Sequence, residues 1–441
     1  MGLLQLSKSL EDREISPVEL VEQSLAKIRR ENPSCNAFIT VCEEQALADA
    51  AAAEKEIKNG SVKSPLHGVP VAVKDVIFTK GIRTTMGSKL YKDFVPDQDA
   101  AVIKKLRDAG AIIIGKTHTH EFAYGPIGDR SFFGPARNPY NPEKITGGSS
   151  SGSAAAIAAD MVSVALGTDT GGSVRIPASA CGVVGMKPTY GLVSTDGVYH
   201  TAYTLDHVGP MTKTVRDNAV LLHLFTGNKY LDLLEEDISG KVIGLPSFFF
   251  KNIDSEVADA INQVIIIYES LGASVVEVDV KGIEEIAKFQ KITIQAEAYA
   301  THRDNLSKHS LDYDREVYER LASGQNMPAD EYIVAQQQKE ALITHFNQVF
   351  EKADVLLTPT IPMLPTDIGQ REVNIGNKTE PVRQALLRLT SPINYTGNPA
   401  LSVPCGFSRG GLPIGFQLLG IHGKEALLYQ IGHAYERIGK K

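Results

Sequence analysis

Short apolar runs alternate with longer segments of helical character along most of this chain. Runs typical of buried strands lie at 68–76, 111–114, 162–166, 241–245, 273–280, 354–357, 400–403 and 414–419. Between them, helical spacing of apolar residues or an accumulation of helix formers marks 17–31, 43–58, 98–109, 254–271, 284–323, 330–352 and 424–437. This alternation predicts an α/β fold in which helices cover both faces of a sheet.

The first long helix has a clear start signal, whereas domain boundaries have none. Ser16, Pro17 and Glu19 supply the N-cap, the first-turn proline and the capping-box glutamate expected at a helix N-terminus. No linker rich in Pro, Gly and Ser divides the sequence, and no internal repeat is visible. Segment 227–240 is the best candidate for a surface excursion. We therefore expect one domain over residues 1–441.

Composition argues against several classes of protein. The chain has 441 residues and a formal net charge of −7, so its overall charge does not favour binding to nucleic acid or to an anionic membrane. It lacks the apolar run of about 18 residues that a membrane span needs, and its N-terminal segment is too charged for a secretory signal. The cysteines form neither a CxxC pair nor a zinc pattern, which favours a reducing cytoplasm; they are Cys35, Cys42, Cys181 and Cys405.

Three short motifs point to other chemistries but lack the context that those chemistries require. Residues 110–117, GAIIIGKT, fit the phosphate-loop expression, yet the variable positions have the character of a strand. Residues 148–152, GSSSG, loosely fit the GxSxG turn of α/β-hydrolases, but no apolar strand precedes them. His118 and His120 lack a further ligand pattern, so we predict no metal site.

Two Gly/Ser-rich elements form a more specific constellation. The first is GGSSSGS at 147–153, which runs into a block of alanines, and the second is GTDTGGSVRIPA at 167–178. The glycines permit a tight turn over 168–173 that directs several N–H groups at one point, as stabilisation of a tetrahedral oxyanion requires. Ser173, at the end of this turn, is placed to act as a nucleophile.

Lys74 ends the apolar run VPVAVK and is the candidate base. In a buried strand a charged ammonium is costly, and desolvation lowers its pKa until a neutral amine can accept a proton. The alternative is a lysine that pairs with Asp75 or extends its aliphatic chain to solvent. The pattern alone leaves both interpretations open.

Together these elements resemble the amidase signature family of serine hydrolases. The family pattern joins a VxxKD-like strand, GGSSxGS, GTDxGGSxRxPA and GxKPTxG. This chain has VAVKD at 71–75, GGSSSGS, GTDTGGSVRIPA, and GMKPTYG at 185–191. Further likeness lies in ADVLLTPTIP at 353–362 and NPALSVPCG at 398–406. The motif core spans about 65–210, and the resemblance extends over nearly the whole chain.

The resemblance implies both a fold and a catalytic apparatus. The fold is a single α/β/α domain around a large central mixed sheet. The apparatus is a Ser–cisSer–Lys triad, in which Ser173 attacks the amide, Ser149 relays protons and Lys74 is the base. The bond between Gly148 and Ser149 is expected to be cis, and no cofactor or metal is implied. The expected oxyanion donors are the backbone N–H groups of Thr170, Gly171, Gly172 and Ser173.

Smaller roles follow for residues near the triad. Tyr124 matches a family position that contacts substrate, where its carbonyl can accept a hydrogen from the leaving group. Asp169 and Arg175 are expected to brace the turn rather than to touch substrate. Ser151 replaces a glycine common in the motif, with little expected consequence. Cys181 is expected to be a small buried residue.

The family divides into general amidases and the glutaminase subunits of tRNA-dependent amidotransferases. The glutaminase subunits hold glutamine with an arginine and an aspartate, at positions that align with Lys339 and Leu387 here. Leucine cannot bind an ammonium, and lysine lacks the bidentate fork of arginine. We therefore expect a free-standing amidase that releases an acid and ammonia or an amine from small, uncharged or apolar (aliphatic or aryl) acyl substrates.

Other functions are kept as alternatives. The first is the glutaminase A subunit of a tRNA-dependent amidotransferase, active only with its partners. The second is a urethane, carbamate or anilide hydrolase of the same family, and the third is a catalytically silent scaffold, against which the intact triad argues. The expected partner is a small-molecule amide, with no nucleic acid and no membrane, and a homo-oligomer is compatible with the sequence.

Overall fold

An eleven-stranded sheet runs through the computed structural model, which describes residues 2–439. Two further pairs, β4 with β5 and β12 with β13, form small separate sheets once the strands are labelled in chain order. The strands are β1 (Phe38–Val41), β2 (Pro70–Lys74), β3 (Ile112–Thr117), β4 (Arg137–Asn138), β5 (Asn141–Ile145), β6 (Val164–Asp169), β7 (Val184–Lys187), β8 (His207–Thr212), β9 (Val242–Pro246), β10 (Ser274–Val278), β11 (Val355–Pro359), β12 (Glu372–Ile375), β13 (Lys378–Pro381), β14 (Ala400–Phe407) and β15 (Pro413–Leu419).

Helices connect most of these strands. Within residues 2–439, none is both long enough and apolar enough to cross a membrane. The helices are α1 (Leu3–Glu11), α2 (Pro17–Cys35), α3 (Glu43–Lys58), α4 (Ala101–Asp108), α5 (Ser151–Ala158), α6 (Arg175–Ala180), α7 (Val215–Thr226), α8 (Ser255–Ser270), α9 (Ile283–Lys308), α10 (Arg315–Ala322), α11 (Ala329–Gln337), α12 (Lys339–Asn347), α13 (Val382–Leu387), α14 (Ser391–Thr396) and α15 (Glu425–Gly439).

The central sheet is mixed, as expected. Its strand order is β1-β3-β2-β6-β8-β7-β14-β15-β11-β9-β10. β2 is parallel to β3 and β6, and β9 is parallel to β10 and β11, whereas the other neighbours are antiparallel. Because β2 and β6 run in the same direction, their carboxyl ends lie at one edge of the sheet. Lys74 and Asp169 are the last residues of these two strands, so this edge positions the site.

Both faces of the sheet are covered, because successive side chains of β3 enter different hydrophobic clusters. Ile113 packs into a cluster that contains Leu106 of α4. Ile112 and Ile114 pack into another that contains Leu25 of α2. The period of two along a strand thus places helices on opposite sides. The α/β fold predicted from the alternating pattern is confirmed.

The predicted elements agree with the structure in type more than in their ends. The capping box of α2 forms as predicted, since Glu19 N donates to Ser16 Oγ and Ser16 N donates to Glu19 Oε2. Three strands of the central sheet were not predicted, β1, β7 and β8, and neither were the four strands of the two small sheets. β6 continues to Asp169, so the turn expected over 168–173 begins only after that residue. Pairing of Gly167, Thr168 and Asp169 with β8 holds this polar end in the sheet.

Segment 227–240 contains no helix or strand, but it is not a simple surface excursion. Tyr230, Leu234 and Ile238 are buried in the largest hydrophobic cluster. These three side chains attach the segment to the core, while intervening residues such as Asp232 are exposed. One sheet joins strands from Phe38 to Leu419, and the expectation of a single domain over 1–441 stays a prediction.

Candidate active site

Lys74 is completely buried at the end of β2. Its Nζ lies 2.7 Å from Ser149 Oγ and 2.7 Å from Thr168 Oγ1. Burial lowers the pKa of Lys74 to about 7, although Asp169 and Asp206 act in the opposite direction. A substantial fraction of the amine is therefore neutral near pH 7, in hydrogen-bonding contact with the hydroxyl whose proton it is expected to accept.

Asp75 is not the partner of Lys74. Its Oδ2 accepts hydrogen bonds from the backbone N–H of Thr85, at 2.9 Å, and from the Thr85 hydroxyl. Asp75 lies in the turn that follows β2, where its carboxylate bonds Thr85 and not the Lys74 amine. Of the two interpretations left open by the sequence, the buried and desolvated lysine is the one observed.

The Gly148–Ser149 peptide bond is cis, as the resemblance implies. Ser149 is buried, and its carbonyl accepts a hydrogen bond from His120 N at 3.2 Å. A Cβ added to Gly148 would lie 2.9 Å from Gly128 N and 3.1 Å from Gly125 O, so the chain has room only for glycine there. The small residues of the first Gly/Ser element thus permit close approach of two backbones.

Ser150 joins the first Gly/Ser element to the second. Its N–H donates to Ser173 O at 3.1 Å. Its hydroxyl lies 3.2 Å from both the N and the O of Thr168. Helix α5 follows directly and is buried from Ser151 to Ile157. Through these contacts the cis bond, the end of β6 and the turn that carries Ser173 form one unit.

The turn that carries Ser173 is packed against the segment before α14. Gly172 has φ +130°, a conformation that favours glycine, and an added Cβ would collide with the Thr390 side chain. The Thr390 hydroxyl donates to Gly171 O at 2.7 Å. Ser173 is itself buried, with 6% of its surface exposed.

The oxyanion expectation needs one correction. The N–H of Gly172 donates to Asp169 Oδ1 at 2.8 Å. An N–H held by an internal carboxylate is not available to a developing oxyanion without breaking that bond. The backbone N–H groups of Thr170, Gly171 and Ser173 stay the predicted donors, and the structure assigns Gly172 to bracing the turn.

Asp169 and Arg175 brace this turn from inside the protein. Both side chains are fully buried, with Arg175 Nε 3.1 Å from Asp169 Oδ2 and Nη2 3.1 Å from Oδ1. Asn394 Nδ2 donates to the same carboxylate at 2.8 Å. Burial alone would raise the pKa of Asp169, but the Arg175 guanidinium and the Asn394 amide hold it well below its usual range. The carboxylate therefore stays charged.

Tyr124 does not present a free carbonyl in this structure. Its carbonyl oxygen accepts a hydrogen bond from Arg320 Nη1, and the same guanidinium lies 5.7 Å from the centre of its ring. The expected contact between this carbonyl and a leaving group would therefore have to share the oxygen with Arg320. The hydroxyl of Tyr124 is buried and makes no hydrogen bond within the described residues.

The two positions used to judge glutamine binding occupy different surroundings. The Leu387 side chain would lie 3.3 Å from a Cβ added to Gly171, so it lines the turn that carries Ser173. Lys339 Nζ donates to Thr204 O at 3.2 Å and lies between the rings of Tyr190 and Tyr395, at 5.6 and 5.4 Å from their centres. Leu387 is thus at the site, whereas Lys339 is held by other groups.

Several contributors to the site were not predicted. Thr168 stands within the motif GTDTGGS, and its nearness to Ser173 was the available signal. Thr390 and Asn394 come more than 200 residues after that motif and reach it only through the fold. Arg320 and Arg383 carried no sequence signal.

The misleading motifs take structural roles. Lys116 lies inside β3, and its ammonium bonds Thr84 Oγ1 at 2.8 Å, so GAIIIGKT is not a phosphate loop. His118 Nε2 lies 2.8 Å from Gly134 O, and burial lowers its pKa to about 4. Cys181 is buried, as expected, which raises the pKa of its thiol.

Comparison with known proteins now identifies the class. The family model described as Amidase matches residues 19–429, so the chain belongs to the amidase family. The central mixed sheet is the one found in amidase signature enzymes. A crystal structure of an amidase superposes with a TM-score of 0.94 over 99% of both chains, at 33% identity.

Other relatives have a more specific description. The A subunit of glutamyl-tRNA(Gln) amidotransferase from Geobacter metallireducens is 39% identical over an alignment of 472 positions, gaps included, which covers 98% of this chain and 96% of the relative. The crystal structure of the protein of the same name from Thermotoga maritima superposes with a TM-score of 0.83 at 35% identity, over 99% of this chain and 94% of that one. These names stand against the expectation of no nucleic-acid partner.

Proposed function

We propose that this protein hydrolyses a carboxylic acid amide through an acyl-enzyme on Ser173. The supporting observation is the 2.7 Å contact between the buried Lys74 amine and Ser149 Oγ. A desolvated amine with a pKa of about 7 is a suitable base for a hydroxyl.

The proposed reaction passes protons in series. Lys74 accepts the proton of Ser149, and Ser149 accepts the proton of Ser173 as its Oγ attacks the amide carbon. The N–H groups of the turn stabilise the oxyanion. The proton returns through the relay to the leaving nitrogen, the C–N bond breaks, and water then attacks the ester by the same route to release the acid.

Two substrate classes compete. Curated relatives named as amidotransferase subunits favour glutamine as an ammonia source, with tRNA and partner subunits. Leu387 beside Gly171 favours a free-standing amidase, because an apolar side chain offers nothing to the ammonium of glutamine. The superpositions do not decide between the two classes, because the amidase has the higher TM-score, 0.94 against 0.83, and the amidotransferase subunit has the higher identity, 35% against 33%. Anilides and carbamates are further substrates of the same chemistry.

A panel of amides tests these proposals. Purified protein is incubated with an aliphatic amide, benzamide, an anilide, a carbamate and glutamine, and the released ammonia or amine is measured. We expect turnover of at least one amide by the isolated chain, and none by the Ser173→Ala variant. Glutamine as the only substrate, and only after addition of partner subunits, would support the amidotransferase. Full activity of Ser173→Ala would overturn the acyl-enzyme.

A further inference from the structure

Two arginines converge on one buried tyrosine next to the site. Arg320 bonds the Tyr124 carbonyl and stacks on its ring. Burial raises the pKa of the Tyr124 hydroxyl, and the positive charge of Arg383 acts in the opposite direction. Both arginines are only partly exposed. We call Tyr124, Arg320 and Arg383 the arginine–tyrosine cluster.

The cluster contains excess positive charge and unused donors. Arg383 Nε and Tyr124 Oη are buried without hydrogen-bond partners among the described residues. The nearest carboxylate of α10, Glu316, is already paired with Arg130 and Arg371. Burial together with Arg383 lowers the pKa of Arg320 to about 10. Unpaired buried donors and adjacent like charges are both relieved by a bound anion.

Arg383 lies one helical turn before Leu387, a residue that packs against the Gly/Ser loop of Ser173. Arg383 and Leu387 are four residues apart in α13, so they share a face, with Cβ atoms about 5–6 Å apart. Leu387 contacts Gly171. Tyr124 lies near the cis peptide bond, because the carbonyl oxygen of the next residue, Gly125, is 3.1 Å from a Cβ added to Gly148.

We infer that the amide substrate carries a carboxylate, which binds between Arg320 and Arg383 with the Tyr124 hydroxyl as a further donor. This inference rests on the proposed amide hydrolysis. The substrate class that we infer is the monoamides of short dicarboxylic acids, in which a carboxylate lies a few bonds from the scissile carbonyl. Leu387 provides no counter-charge for an α-ammonium, so the substrate class excludes amino acids. This substrate differs from the uncharged acyl group expected from the sequence.

Three amides of equal length test this inference. Glutaramate carries the terminal carboxylate, valeramide lacks it, and glutamine adds an α-ammonium. We expect kcat/KM for glutaramate to exceed that for each of the others by about 10- to 100-fold, the effect of one or two charge-assisted hydrogen bonds. Arg383→Met should bring the ratio of kcat/KM for glutaramate to kcat/KM for valeramide close to one. Arg315→Met, an exposed arginine of α10, is the matched control and should retain the preference.

A binding measurement separates the two proposals. Calorimetry of the Ser173→Ala variant with glutarate should show binding that is about tenfold or more weaker after Arg383→Met or Tyr124→Phe. Turnover of valeramide equal to that of glutaramate, or glutarate binding unaffected by Arg383→Met, would overturn the inference and leave amide hydrolysis intact. Glutarate binding without hydrolysis of any amide would support the anion site and contradict the proposed reaction.

Discussion

At the scale of the residue, the chemistry depends on how one lysine is solvated. Lys74 has a hydroxyl of Ser149 on one side and a hydroxyl of Thr168 on the other, both at 2.7 Å. Neither partner is a carboxylate, so burial decides the protonation state and sets the pKa at about 7. The apolar run before Lys74 was enough to propose this lysine from the sequence. The sequence could not show whether the Asp75 carboxylate pairs with the amine, and in the structure that carboxylate bonds Thr85 instead.

The pH dependence of kcat/KM reports this protonation state. Lys74 must be neutral, so kcat/KM should rise about tenfold per unit of pH below about 7 and level off above it. Thr168 Oγ1 accepts a hydrogen bond that favours the ammonium. Thr168→Val should therefore lower the pKa and move the rise towards lower pH by about one unit. Thr212→Val, the same change in β8, serves as the control.

The contradicting outcomes are specific. A flat profile of kcat/KM between about pH 6 and 9 would remove Lys74 as the base. If the rise in kcat/KM shifts along the pH scale by the same amount in Thr168→Val and Thr212→Val, the contact with Thr168 does not set the pKa of Lys74.

At the scale of the element, a buried ion pair fixes the turn between β6 and α6. Asp169 ends β6 and Arg175 begins α6, and the carboxylate bonds Gly172 N and Val174 N between them, at 2.8 and 3.1 Å. The motif GTDTGGSVR therefore contains both residues of the ion pair that stabilises the turn, so the structural role of Asp169 and Arg175 was predictable from the sequence. The partner strand β8 was not, because HVGPMT contains Gly and Pro and is buried along its whole length, without alternation.

Loss of the Asp169 charge should destabilise the fold. Asp169→Asn leaves the Arg175 guanidinium buried and uncompensated, which costs about 3–5 kcal/mol in the free energy of unfolding. Urea unfolding measures this, and Asp169→Asn with Arg175→Met should regain part of the loss, since the pair couples. Glu319→Gln, in an exposed pair of α10, should leave the midpoint unchanged. A loss below about 1 kcal/mol would disprove the bracing role.

At the scale of the whole molecule, the site joins parts of the chain that are far apart in sequence. The residues proposed to carry the reaction lie in contiguous motifs, which is why Lys74, Ser149 and Ser173 could be proposed from the sequence. The residues that surround them, such as Arg383 and Thr390, follow more than 200 positions later. No local pattern marks them, because their surroundings arise only when α13 and α14 pack against the turn after β6. Specificity was therefore less predictable than chemistry.

The most direct test of the account is the labelling of the protein by a fluorophosphonate, with the modified peptide mapped by mass spectrometry. The reagent forms a bond to an activated serine oxygen and releases fluoride. We predict a single adduct on Ser173, formed at a rate that rises with pH through about 7, and at least 100-fold slower after Lys74→Met or Ser149→Ala. Labelling of another serine, or an unchanged rate in those variants, would contradict it.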